Sequence, residues 1–156
     1  MALGRALSAA IVGVTATIVD VEANVGPGLP RIQIVGLADT AISESRDRMK
    51  TAVANSQLHW PKTKVVVSLS PASMPKAGSH FDVAMCLAIL TASSTDPLVR
   101  QRLSETVLLG EVGLDGSLRP VAGVLPVLMA ARRAGLRRVI VPQGNAAEAA
   151  LIDVPV

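Results

Sequence analysis

The run Thr63-Lys64-Val65-Val66-Val67-Ser68-Leu69 limits the possible folds of this chain more than any other segment. Near-continuous β-branched residues predict a buried strand. A buried strand needs layers packed over it, and the neighbouring segments have the patterns of such layers. Upstream, Ile42, Met49 and Val53 recur at near-helical spacing, with Ser43, Glu44, Arg46, Asp47, Arg48 and Lys50 filling the other faces. That pattern predicts an amphipathic helix to about Asn55, with Asp39 or Thr40 as its N-cap. Downstream, Phe81 to Ala92 is apolar on nearly every side apart from Asp82, as in a helix covered on most faces.

The rest of the chain extends this layered plan. Residues 6–12 and 14–24 carry β-branched residues in partial alternation and read as two strands of a meander. A turn at Gly26-Pro27-Gly28-Leu29-Pro30 leads to a third strand through Ile32, Ile34 and Val35. Residues 70–80 form a loop, and residues 94–104 are polar and turn-like. Thr106–Leu109 and Val112–Leu114 read as strand, Asp115-Gly116 as a hairpin turn, and Leu118–Val121 as the return strand. Gly123 to Ala134 has Val124, Val127, Leu128 and Ala131 on one side, and Pro126 falls in the first turn, where a helix accepts it. Val139–Val141 is a last strand, and Asn145 caps a short helix to Leu151. The expected order is β-β-β-α-β-α-β-β-α-β-α. This is an α/β (α+β) domain with a mixed β-sheet packed with helices, occupying residues 1–156 as a single domain.

Composition narrows the function classes. Half of the 156 residues are hydrophobic, with one Phe, one Trp and no Tyr, so the core is aliphatic. The charged fraction of 17% is below the roughly 25% usual for soluble domains. A neighbouring domain or subunit covering part of the surface would account for that, and so would an Ala- and Val-rich composition. A net charge of +3 is mildly basic, and the scarcity of aromatics argues against base stacking, which single-strand binders usually exploit. Cys86 has no cysteine partner, which fits a reducing, cytoplasmic setting. No apolar run reaches the roughly 20 residues of a membrane span, so no membrane partner is expected.

Four groupings of residues bear on chemistry. The stretch Pro75-Lys76-Ala77-Gly78-Ser79-His80-Phe81-Asp82 leads into a helix N-terminus, where free N–H groups and Lys76 favour an anion; on residues alone a plain tight turn capped by Ser79 or Asp82 is the favoured reading. Arg132, Arg133, Arg137 and Arg138 cluster at a helix C-terminus, which the macrodipole favours; the sharper reading is a phosphate-contacting patch. Lys76 and these four arginines are the candidate DNA or anion contacts. Glu44-Ser45-Arg46-Asp47-Arg48 alternates in sign, as on a solvated, self-paired helix face or one that docks a motor domain. Histidines His59 and His80, with a single cysteine, make no metal site, and His80 is expected as a surface or packing residue. There is no G-x-x-x-x-G-K-[ST] and no G-x-G-x-x-G, so the chain alone is not expected to hydrolyse ATP.

Several longer stretches carry a recognisable pattern: IQIVGLADTAISESRDRM, VVVSLSPASMPKAGSHFDVAMCLAIL, LLGEVGLDGSLRPVAGVLPVLMAARRAG and VIVPQGNAAEAAL, in that order. From about Leu7 to Ile152 the chain resembles the YifB/ComM family of magnesium-chelatase-like AAA+ ATPases. The resemblance implies a fold shared with the Lon proteolytic domain and with ribosomal and GHMP-kinase-type domains. It also implies that an AAA+ module, with its ATP and Mg, follows this domain. ComM members of the family are hexameric motors that drive DNA branch migration in natural transformation. The expected partners are therefore the chain's own AAA+ module, further copies in a homo-oligomer (hexamer), and DNA. A protein-interaction or regulatory domain with no DNA role is the alternative.

The Lon likeness raises a Ser-Lys peptidase as a further function class. Lon proteases carry the nucleophile in a P-K-D-G-P-S-A-G loop. Here that position falls on His80, and Ser79 is one residue out of register. Lon's lysine follows a G-G-L turn, which here is Ala122-Gly123-Val124, so its position holds Leu125. Leu125 cannot take a serine proton, so the expectation is a non-catalytic chain with no catalytic, cofactor or metal residues of its own.

Overall fold

The computed structural model describes residues 2–153. The N-terminal hairpin pairs β1 (Ala2–Val12) with β2 (Thr15–Gly26) in unbroken antiparallel register, from Ala2 opposite Val25 to Val12 opposite Thr15. Gly13 makes the turn with φ +61°. β3 (Arg31–Val35) then runs parallel to β4 (Lys64–Ser70), the two joined by α1 (Asp39–Asn55), and β4 lies antiparallel to β2. α2 (Asp82–Thr91) and α3 (Pro97–Ser104) precede β5 (Thr106–Leu108), which lies parallel to β1. β6 (Glu111–Val112) and β7 (Leu118–Arg119) form a separate small hairpin. α4 (Val124–Arg133) leads to β8 (Arg138–Ile140), parallel to β5; a 3-10 turn at Gln143–Asn145 and α5 (Ala146–Ala149) follow. The six-stranded mixed sheet has the order β3-β4-β2-β1-β5-β8.

Alternation along the strands divides the core in two. Ala6, Ala10, Val19, Val21, Ala23, Val65, Val67 and Leu69 pack against Met49, Ala52 and Val53 of α1 and the apolar residues of α2. Ala9, Ala16, Val107, Leu109 and Val139 pack against Val124, Val127, Leu128 and Ala131 of α4. Small residues bring α2 close to β1. A Cβ at Gly4 would sit 1.9 Å from the Ala88 carbonyl oxygen, so only glycine fits there.

Four local expectations are corrected. β4 is buried on one face only: Val65, Val67 and Leu69 are buried, whereas Val66, Ser68 and Ser70 are half-buried. The second core cluster forms mainly on β1, β5, β8 and the start of β2, and draws no residue from β4. Residues 97–104 are helix: the Asp96 carboxylate accepts from Leu98 N–H at 2.9 Å and Pro97 occupies the first helical turn. The α1 N-cap is Ala38, with Asp39 already in the first turn. Asn145 gives no side-chain cap to α5; its amide instead brackets Val121, donating to the carbonyl at 2.8 Å and accepting from the N–H at 3.0 Å.

Among the described residues no helix is long and apolar enough to cross a membrane.

Because the Ala88 carbonyl cannot move without breaking α2, Gly4→Ala is expected to cost about 2 kcal/mol or more in urea denaturation. Gly13→Ala, whose Cβ meets nothing within 4 Å, should cost only about 1 kcal/mol, from its positive φ. The reverse ranking would contradict the close approach of β1 and α2.

Candidate functional site

The loop between β4 and α2 is built around a lysine. The Lys76 ammonium donates to the carbonyls of Pro71 and of Met74, the latter at 2.8 Å, and Lys76 is buried. Its own carbonyl accepts from Ala38 N–H at 3.0 Å, which ties the loop to the start of α1. Burial lowers the pKa of its ammonium below the ordinary lysine value. Lys76 is thus occupied inside its own loop and does not stand with the exposed cations as an anion contact.

The next residues pack inward. Ser79 Oγ donates to Glu111 at 2.5 Å. His80 is buried, with its ring centroid 4.1 Å from that of Phe81. Its Nε2 lies 2.7 Å from the Ala9 carbonyl, and since a carbonyl only accepts, Nε2 carries the proton. Desolvation lowers the imidazole pKa, opposed in part by the Ala9 hydrogen bond and the nearby Asp82 charge. The packing role expected for His80 is the one observed.

At the start of α2 the fully buried Asp82 carboxylate is satisfied on every side. Ser45 donates to Oδ1 at 2.7 Å, Arg48 donates Nε to Oδ2 at 2.7 Å and Nη2 to Oδ1 at 3.1 Å, and Val112 N–H reaches Oδ2 at 3.2 Å. Hydrogen bonding to Asp82 raises the Arg48 pKa above its ordinary value. The sign-alternating run 44–48 is therefore not a solvated face throughout: Ser45 is buried, and Arg48 turns inward while also lying 3.9 Å from Glu44. Sequence reasoning missed this network. The available signal was a lone acid in an otherwise apolar helix, which needs a buried partner.

Gly78, Ser79 and His80 share a groove with Ile11, Gly13 and the turn Pro120–Gly123. The two segments aligned with the Lon nucleophile loop and lysine turn thus face each other. Leu125 is half-buried against the second core cluster, and the one serine beside the groove donates to a carboxylate. Cys86 is buried, and desolvation pushes its thiol up to about 12, which keeps it protonated near neutrality.

The four arginines run from the end of α4 into β8, an edge strand of the sheet. Arg132 and Arg133 end α4 and are exposed. Arg137 is exposed, with Nε 4.0 Å from Glu105, and Arg138, half-buried, opens β8.

Residues 21–145 match the family described as subunit ChlI of Mg-chelatase. Over 98% of its length the chain is 48% identical to an uncharacterized protein of Mycobacterium tuberculosis, 37% to YifB of Escherichia coli and 36% to the competence protein ComM of Haemophilus influenzae. It spans 30% of the length of each of these relatives. A more distant likeness, 30% identity over 97% of this chain and 20% of the relative, is to the Lon protease of Mycolicibacterium smegmatis, in keeping with a Lon-like mixed sheet.

Two measurements probe the interior of this site. Asp82→Ala leaves the Arg48 guanidinium without its buried partner and is expected to cost about 3 kcal/mol. Adding Arg48→Met should recover part of that loss, giving a double-mutant coupling on the order of 1–3 kcal/mol; strict additivity would refute the pairing. For His80, the folded-state pKa lies below the unfolded value of about 6.5, so the unfolded chain binds more protons at acid pH. Stability is then full above about pH 6.5 and falls as pH drops toward the folded-state pKa. Urea unfolding at about pH 7.5 and about pH 5.5 should show this fall, and His80→Gln should reduce it; an equal slope in both proteins would rule His80 out.

Proposed function

The chain belongs to the family of the ChlI subunit of Mg-chelatase, and on that premise we propose that it is the non-catalytic N-terminal domain of an AAA+ ATPase, aiding assembly and DNA binding of a branch-migration motor in DNA uptake or recombination. The observation that carries this reading is the match over 98% of the chain to the competence protein ComM. The relatives are about three times as long as this chain, which leaves room in them for a motor module with ATP and Mg. Assembly of the whole protein into a homo-oligomer belongs to the same reading.

Arg132, Arg133, Arg137 and Arg138 are the DNA-binding residues of this proposal. They gather positive charge around the α4–β8 connection, Arg132, Arg133 and Arg137 exposed and Arg138 half-buried, and Glu105 is their one ion-pair partner among the described residues. A peptidase role is disfavoured, because the aligned nucleophile position is His80 and the aligned lysine position is Leu125. A protein-interaction or regulatory role without DNA is the second reading. It is favoured by an apolar cleft among Val53, Leu58, Leu87, Leu90 and Leu118, between α1, α2 and the β6–β7 hairpin.

The test is a salt titration of DNA binding. Arg132→Glu with Arg133→Glu is expected to weaken binding to duplex DNA at about 50 mM salt and to flatten the slope of log K against log salt by about 0.9 for each phosphate no longer neutralised. Unchanged affinity and slope would remove the arginine cluster from the proposal and shift the weight to the protein-interaction reading.

A further inference from the structure

We propose that a second cationic groove, formed by α1, the start of β3 and the connection from α1 to β4, binds the phosphodiester backbone of a single-stranded nucleic acid. Arg31 of β3, Arg46 and Lys50 of α1, and Lys62 of the connection line it, beside Trp60 and Pro61. All four cations are exposed, and Asp47 is the one carboxylate among them. Among the described residues none of these five charged groups lies in an ion pair, whereas Arg5, Arg48 and Arg137 each do. Arg46 and Lys50 stand four residues apart on one stripe of α1, a like-charge arrangement that Asp47, which forms an ion pair with neither, offsets only in part. Both observations describe a surface that holds positive charge its own chain does not neutralise.

The layout favours a polymer over a single small anion. The cations come from three separate segments and are spread along an open trough, which matches a string of phosphates rather than one point of charge. Trp60 packs on the larger core cluster while also lining the groove, so an indole stands beside the cations. With so few aromatics in the chain, stacking is limited to one base on Trp60 and the backbone contacts carry the rest; a nucleobase has a flat π-face to lay on that ring, and an acidic peptide does not. The groove is lined from β3, one edge strand, and the arginine cluster runs from the end of α4 into β8, the other edge strand; the two share no residue, so this site goes beyond the arginine cluster and either can fail without the other.

Trp60 is the one tryptophan of the chain, so its emission reports on this groove alone. The 156-residue chain is titrated with a fluorescein-labelled thymidine oligonucleotide of about 15 nucleotides at about 50 mM salt, following Trp60 emission and label anisotropy together. The two signals are expected to saturate in parallel. Arg46→Glu with Lys50→Glu should weaken binding about tenfold or more and flatten the salt slope by about 1.4, the value for two phosphates released on a single strand. Lys62→Glu, on the connection rather than the helix, provides an independent variant with the same expected direction. Lys50→Arg should retain binding, and Arg132→Glu with Arg133→Glu should leave the Trp60 response in place. The proposal is overturned if the oligonucleotide binds without altering Trp60 emission, or with equal affinity to the groove variants. It is equally overturned if inorganic pyrophosphate saturates the Trp60 signal and the oligonucleotide does not, since the groove is then a small-anion site.

Discussion

The Asp82 carboxylate sits fully buried in the first turn of α2 and takes hydrogen bonds from Ser45 and Arg48 of α1 and from the backbone of β6. A buried charge is tolerated only when such partners are all in place, so three elements distant in sequence are held to one mutual arrangement. The loop before α2 inherits that arrangement. Ser79 reaches Glu111 at the start of β6, His80 reaches Ala9 on β1, and the backbone of Lys76 reaches Ala38 at the head of α1. The groove beside this loop is therefore shaped by polar contacts, while the two aliphatic clusters hold the layers together.

Much of the fold was legible from periodicity. The first two strands, the β3–α1–β4 unit, the apolar helix after the long loop and the Asp115-Gly116 hairpin each have a local pattern strong enough to be read without tertiary information, whereas the expected meander stops at the β1–β2 pair because β4 enters the sheet between β2 and β3. α3 was less visible because it is short and its apolar residues, Leu98, Val99 and Leu103, are too few to show a helical period, none of them being fully buried, although Asp96-Pro97 marked its start. The one-sided burial of β4 was hidden for the opposite reason: three consecutive valines say nothing about which face a helix will cover. At the site, the lack of partners in sequence left His80 as either a surface or a packing residue, and its burial beside Phe81 decides for packing. Arg48 could not be separated from Arg46 and Lys50 by composition, because charge patterning does not tell which arginine of a helix turns inward.

The distant likeness to Lon sits beside different residues at two decisive positions. In this chain a groove joins the β4–α2 loop to the β7–α4 turn, and a histidine held to a strand carbonyl and a leucine packed against the core stand where the resemblance to Lon would put its serine and lysine. A scaffold that brings two loops together is useful for more than one chemistry, so residues rather than architecture carry the functional argument.

The order of strands also sets a length. Arg138 opens β8 at one edge of the sheet, and Arg31 opens β3 at the other, with four strands between them. At about 4.8 Å per strand step, the two edges stand about 24 Å apart. A nucleic-acid strand whose extended length falls short of that span can occupy one edge but cannot bridge the sheet, whereas a longer one can touch both.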